Sequence, residues 1–127
     1  ILNPTSIDLG EYVINPYRGC AYSCLYCYAQ FNKAALKDPR EWGEYVDVRI
    51  NAADLLVKEI KEKRPSRVLI GSTTECFSPV CRQNNVMSDI LCVLNEYGVF
   101  YSILTRSPLI IDFMDGLSKG FCESVYF

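Results

Sequence analysis

Histidine is absent from the 127 residues. Any metal held by this chain is held without imidazole, so a tetrahedral zinc site cannot draw its fourth ligand from that side chain. An excess of basic charge is missing too. Thirteen Lys and Arg stand against 15 Asp and Glu, a net charge of −2, which gives no cationic footprint for nucleic acid. No apolar run approaches the roughly 20 residues of a spanning helix. No leader-like segment precedes the first strand, and no sequence repeat divides the chain. With 50% apolar residues and moderate charge, the chain can bury a core and is not a disordered tail.

Cysteine, by contrast, is plentiful. There are seven, an odd number. Three of them crowd one loop, which suits a metal site in a reducing, cytoplasmic compartment better than a disulfide framework. The length fits one domain. The chain opens on Ile1 and stops inside the apolar run Ser124-Val125-Tyr126-Phe127. Residues 1–127 therefore read as the N-terminal part of a longer domain, cut at both ends.

Hydrophobic periodicity organises the rest. Ile1 to Leu9 has no clear period and reads as an irregular arm. Gly10 to Asn15 is β-rich and ends at Pro16, giving a first strand. Tyr28 to Lys37 reads as a helix stopped by Asp38-Pro39, and Glu44 to Ile50 as a minor extended segment. Asn51 can cap a helix over Ala52 to Lys63, with Leu55, Leu56, Glu59 and Ile60 at helical spacing. The mixed-sign charges of that helix, Lys58 to Lys63, describe a solvated outer face.

Val68-Leu69-Ile70 is wholly apolar, as in a strand buried on both faces of a parallel sheet. Val86 to Tyr97 is amphipathic, with Ile90, Leu91, Val93 and Leu94 inward and Gly98 as its stop. Val99 to Leu104 is a third strand, Ile110 to Leu117 is helical in pattern, and Glu123 to Phe127 begins a fourth strand. Strands alternating with helices predict an α/β fold, with parallel strands in sequence order, right-handed crossovers and helices on one side. About four βα units make half of a (β/α) barrel. Chemistry in such sheets gathers at the C-terminal strand ends, which here are the loops after Asn15, Gly71 and Leu104.

The first of these loops carries the strongest signal. Cys20, Cys24 and Cys27 lie at spacings of four and three, and soft thiolates so placed can converge on one iron–sulfur or zinc centre. Three ligands are one too few for structural zinc. On a [4Fe–4S] cluster they leave one iron open to an exogenous ligand. The second loop, Gly71-Ser72-Thr73-Thr74-Glu75-Cys76-Phe77-Ser78-Pro79, offers clustered hydroxyls for a zwitterionic ligand and a carboxylate that can accept from an ammonium. The third is Leu104-Thr105-Arg106-Ser107. Cys92 and Cys122 read as buried small hydrophobes. Cys76 and Cys81 remain open, as either redox thiols or buried side chains.

The string Asn-Pro-Tyr-Arg-Gly-Cys20-x3-Cys24-x-Tyr26-Cys27-Tyr-Ala resembles the cluster loop of radical S-adenosylmethionine (SAM) enzymes, in particular their spore photoproduct lyase-like branch. Tyr22 and Ser23 stand where that branch commonly has His and Gly. The resemblance implies a [4Fe–4S] cluster on Cys20, Cys24 and Cys27, with SAM on the fourth iron. It also implies reductive cleavage of SAM to a 5′-deoxyadenosyl radical, an electron donor such as a flavodoxin or ferredoxin, and a partial barrel of six units. Tyr26 would pack near the adenine.

The second loop is similar to the family's Thr-Asp-Pro-Tyr-x-Pro, which makes Thr73, Thr74 and Glu75 expected SAM contacts. Cys76 replaces a Pro there, and Cys81 an acidic residue. Thr105-Arg106-Ser107 is similar to the family's Thr-Lys-Ser, whose Lys is expected to meet the SAM carboxylate; Arg106 keeps that charge and adds a fork. Asp112 and Phe113 sit where Arg-Asp is frequent and inherit no role. Ser72 occupies the place of the donor cysteine of spore photoproduct lyases, which argues against DNA photoproduct repair and leaves the substrate unread. Two other readings stand beside this one: a non-catalytic zinc or Fe–S module, and a degenerate family member that has lost SAM chemistry.

Overall fold

The computed structural model describes all residues from Ile1 to Phe127. In chain order the strands are β1 (Asn3–Pro4), β2 (Tyr12–Ile14), β3 (Tyr17–Cys20), β4 (Tyr45–Val48), β5 (Arg67–Ile70), β6 (Phe100–Leu104) and β7 (Cys122–Tyr126). The α-helices are α1 (Lys33–Lys37), α2 (Ala52–Lys63), α3 (Val86–Glu96) and α4 (Met114–Lys119). Short 3₁₀ turns cover Ala29–Phe31, Pro79–Arg82 and Pro108–Phe113.

Five strands form one sheet in the order β1-β2-β5-β6-β7. The neighbours from β2 to β7 are all parallel, as the alternation of strands and helices predicts. The sheet is nevertheless mixed, because the arm expected to be irregular supplies β1, which pairs antiparallel to β2. The chain is thus an α/β fold with a mostly parallel sheet. Strands β3 and β4 form a separate antiparallel pair, with Cys20 opposite Tyr45. The stretch from Pro16 to Cys20, expected to be loop, is therefore mostly strand.

Side-chain alternation explains the core. Val68 and Ile70 point to the same side as their register partners Tyr101 and Ile103, and all four join the apolar cluster built with Leu56 and Ile60 of α2 and Met87, Ile90 and Leu94 of α3. Leu69 points to the opposite side and is also fully buried, so β5 is covered on both faces, as its unbroken apolar run requires. Each fully buried side chain of this size contributes about 1.5–3 kcal/mol, and Leu56→Ala would cost about 2–5 kcal/mol with its cavity. Leu55, one position away, is half exposed.

The segment Tyr28 to Lys37 is not one helix. A 3₁₀ turn is followed by α1, because Asn32 adopts an extended backbone and its side chain caps α1 by accepting from Ala35 N at 2.8 Å. Asn51 precedes α2 without making a side-chain cap bond. The helical pattern near Ile110 likewise divides into a 3₁₀ turn and α4. Cys92, expected to be buried on α3, is exposed. The inward stripe Met87-Ile90-Leu91-Leu94 leaves position 92 on the other side of a 3.6-residue turn. Cys122 is half-buried. No helix is long and apolar enough to cross a membrane.

Candidate functional site

Strands β2, β5 and β6 end side by side, and their loops meet over the sheet. Gly71 makes the turn after β5 at φ +86°, a conformation that side chains rarely adopt. A Cβ there would lie 2.5 Å from the Leu104 carbonyl oxygen. Glycine thus lets the β5 loop run close against the end of β6.

Two polar side chains fasten these loops, Asn15 half-buried and Glu75 buried. Asn15, just past β2, accepts through Oδ1 from Thr73 N at 3.0 Å and from Thr74 N at 3.4 Å, and donates to Ser72 Oγ. Glu75 does the same between β5 and β6. Its Oε1 accepts from Phe77 N at 3.0 Å and Thr105 Oγ1 at 2.5 Å, and its Oε2 accepts from Arg106 N at 2.7 Å. A carboxylate that accepts three bonds from its own chain and is only 9% exposed acts as a strut. The carboxylate expected to accept from a ligand's ammonium thus already accepts from the two loops, while still lining the cavity above it.

Above these struts lies a cavity of about 310 Å³. All three loop cysteines line it: Cys20 from the end of β3, Cys24 and Cys27 from the turn beyond. Thr73, Thr74 and Glu75 line the β5 side, and Thr105 and Arg106 the β6 side. Eight of the nine side chains expected to bind metal or SAM from these three loops are gathered here together with Tyr26, which also lines the cavity. Ser107 is the exception. It is fully buried, and its Oγ accepts from Leu109 N to cap the following 3₁₀ turn. A hydroxyl before Pro108 is well placed for that capping role, and none of it faces the cavity.

The three thiols are free, with none in a disulfide. Cys20 is buried, while Cys24 and Cys27 are partly accessible, and Cys27 N donates to Cys24 O across the turn at 3.0 Å. They share a wall without closing on one point, since no three Cys, Asp or Glu side chains form a ligating group. Thiolates brought to contact repel one another unless a cation lies between them, so convergence is coupled to metal binding. The donor set still suits a soft metal centre: three unpaired thiols on one wall and no competing imidazole.

Tyr26 is two-thirds exposed, and the Arg106 guanidinium stacks 4.8 Å from its ring centroid. This cation–π contact joins the cysteine loop to the end of β6. Tyr28, to which the sequence assigned no role, lines the cavity as well and donates from Oη to Ser72 O at 2.6 Å. Asn15 was also unassigned, although its place at a strand end just before Pro16 was a readable signal for a loop-fastening side chain.

Beneath the cavity Cys76 and Cys81 are buried. Cys76 Sγ donates to Leu104 O at 3.6 Å, and burial, with Glu75 nearby, pushes its thiol well above the ordinary range. Burial raises Cys81 too. Neither lines the cavity, so both behave as interior side chains.

No family model matches the chain, and no solved structure does. It is 35% identical over 119 residues to the "Uncharacterized protein MJ0683" of Methanocaldococcus jannaschii, covering 93% of this chain and 44% of that protein. It is 29% identical over 104 residues to the "Uncharacterized protein Rv2578c" of Mycobacterium tuberculosis, covering 79% of this chain and 31% of that one. The chain thus spans less than half the length of these relatives.

Proposed function

We propose that this chain is part of a radical SAM enzyme of the spore photoproduct lyase-like branch, its sheet forming a section of a partial (β/α) barrel. One observation carries the reading. The three cysteines of the motif share a single cavity, at the C-terminal ends of parallel strands, with the hydroxyl-rich β5 loop and Arg106. Cys20, Cys24 and Cys27 would hold a [4Fe–4S] cluster, and Thr73, Thr74, Thr105 and Arg106 would surround SAM. Held there and reduced, such a cluster would supply one electron for cleavage of the SAM sulfonium to methionine and a 5′-deoxyadenosyl radical, the species that would take hydrogen from a substrate.

The chain's own residues position and enclose. Arg106 is exposed on the cavity wall, its backbone fixed by Glu75, so its guanidinium can leave the Tyr26 ring for a carboxylate and form a charge-assisted pair. Tyr22, Tyr26 and Tyr28 line the mouth and limit water around a reactive intermediate. Thr74 spends its hydroxyl hydrogen on Tyr17 O at 3.3 Å, which leaves Thr73 the freer donor of the pair. The electron would come from a donor such as a flavodoxin or ferredoxin in a reducing cytoplasm.

The test uses the full-length protein, reconstituted anaerobically with iron and sulfide, reduced, and assayed chromatographically for 5′-deoxyadenosine. Cleavage is expected in the parent and should vanish in Cys24→Ala. Equal turnover in both would remove the assignment. Zinc uptake with no SAM cleavage would instead identify a non-catalytic metal module. Arg106→Ala is expected to weaken SAM binding by about 1.5–3 kcal/mol, measured by equilibrium dialysis.

A further inference from the structure

A second cavity, of about 200 Å³, lies on the other side of the Thr73–Thr74 wall, between β3, α1 and the loop before β4. Its lining contains no Asp or Glu and is rich in donors. Arg18 and Arg49 both line it. Arg49 takes part in no ion pair. Two carboxylates lie near Arg18: its cross-strand partner Asp47, and Asp38, 3.9 Å away and already claimed by Arg40 through bonds of 2.9 and 2.8 Å.

Arg40 also holds Asp47, at 2.9 and 2.7 Å. Arg18 and Arg40 therefore share Asp38 and Asp47, while Arg49 is left without a carboxylate partner. Two further donors lack acceptors. Trp42 Nε1 is buried with no hydrogen-bond partner, and the Asn32 side chain uses its oxygen to cap α1, leaving its amide hydrogens to the cavity it lines. On the acceptor side, Asn15 Oδ1 is occupied by the Thr73 and Thr74 amides, and the lining side-chain oxygen of Asn3 is free.

A buried donor without an acceptor costs about 1–3 kcal/mol. Of the donors here only Trp42 Nε1 is buried; Arg18 and Arg49 are exposed, so an anion would gain from their positive charge and their forked N–H groups rather than from relief of buried donors. Planar guanidinium forks favour oxyanions with paired oxygens. We propose that this cavity binds a phosphate group, held by Arg18 and Arg49, with the Asn32 amide supplying a neutral donor and Trp42 packing alongside. The site is separate from the cysteine-lined cavity and does not depend on its chemistry. Because Thr73 and Thr74 line both cavities, a phosphate here also braces the loop wall of the first.

The chain has a single tryptophan, and it is Trp42, so emission reports on the site directly. The full-length protein is titrated at constant ionic strength with inorganic phosphate and, separately, with glycerol phosphate. Bound phosphate is measured in parallel by equilibrium dialysis, and Trp42→Phe identifies the fluorescence change that comes from this ring. Saturable binding is expected below about 10 mM, the weak end of specific affinities, with about tenfold loss in Arg18→Gln and in Arg49→Gln. Arg82→Gln, on a remote exposed pair with Asp112, should bind as the parent does.

Tighter binding of glycerol phosphate would assign the site to a phosphorylated small molecule, and equal binding to the free ion; either supports the proposal. No saturable uptake of either compound would overturn it, as would unchanged affinity in both Gln variants. Arg49 is exposed and unpaired, so Arg49→Gln keeps the test decisive even if Arg18→Gln fails to fold.

Discussion

Asp38 is almost covered by its neighbours, with 5% of its side chain exposed, and sits beside Arg40. The side-chain hydrogen bond from Arg40, with a backbone bond from the same residue, holds its carboxyl at about 2, against about 3.9 in an unfolded chain. A depressed carboxylate stabilises the fold fully above its unfolded value and loses that contribution as pH falls through the folded one. The window is therefore pH 4 to 2, on acidification. In Arg40→Gln the backbone bond and Arg18 remain, so Asp38 should titrate part of the way back toward its ordinary value and the side-chain share of the acid-induced loss should disappear. Residue-resolved NMR titration of the carboxyl carbon checks this; an unchanged Asp38 midpoint would contradict it. Cysteine reactivity is set at the same scale. Exposed Cys92 should alkylate well before Cys76, whose thiol is buried and held protonated. Mass spectrometry of the briefly treated native protein reads the order, and equal labelling would mean that Cys76 is not buried.

Among the elements, Glu75 ties the β5 loop to the end of β6. Glu75→Gln keeps the shape but puts an NH₂ where one carboxylate oxygen accepts, facing an amide or hydroxyl donor with another donor. A cost of about 2 kcal/mol is expected, seen as a lower urea midpoint with an unchanged slope; a variant as stable as the parent would show that the carboxylate is no strut. The parallel strands were legible in the sequence because each is a short local pattern: apolar Val68 to Ile70, and β-rich runs at Tyr12 and Phe100 bounded by Gly and Pro. The motif cysteines and the polar loops after β5 and β6 were legible for the same reason. β3 was not, since Tyr17–Cys20 becomes a strand only by pairing with Tyr45–Val48, a non-local choice that leaves no local period. Ser107 misled through its neighbours, as a hydroxyl beside Thr105 and Arg106 reads as ligand-facing although Pro108 makes it a cap. For Cys92 the helical spacing already held the answer.

Across the whole molecule the two sheet edges are unlike. The outer edge at β1 is two residues long and contains Pro4, which discourages further pairing. The edge at β7 is five residues long, with Tyr126 41% and Phe127 77% exposed. Such an edge is a template for association. The 127-residue chain on its own should sediment as concentration-dependent oligomers, and Tyr126→Lys should shift it toward monomer. A strictly monomeric parent at every concentration would mean that the edge is protected. Between those edges, Asn15 ties the end of β2 to the β5 loop, and Glu75 ties that loop to the end of β6. The consequence is one of timing. The amides of Thr73, Phe77 and Arg106, 33 residues apart at the extremes, all end on one of these two side chains, so none is released to solvent until a strut lets go. The Phe77 and Arg106 protons, both ending on Glu75, should exchange with heavy water at one shared rate and quicken together in Glu75→Gln, while that of Thr73 keeps the rate set by Asn15.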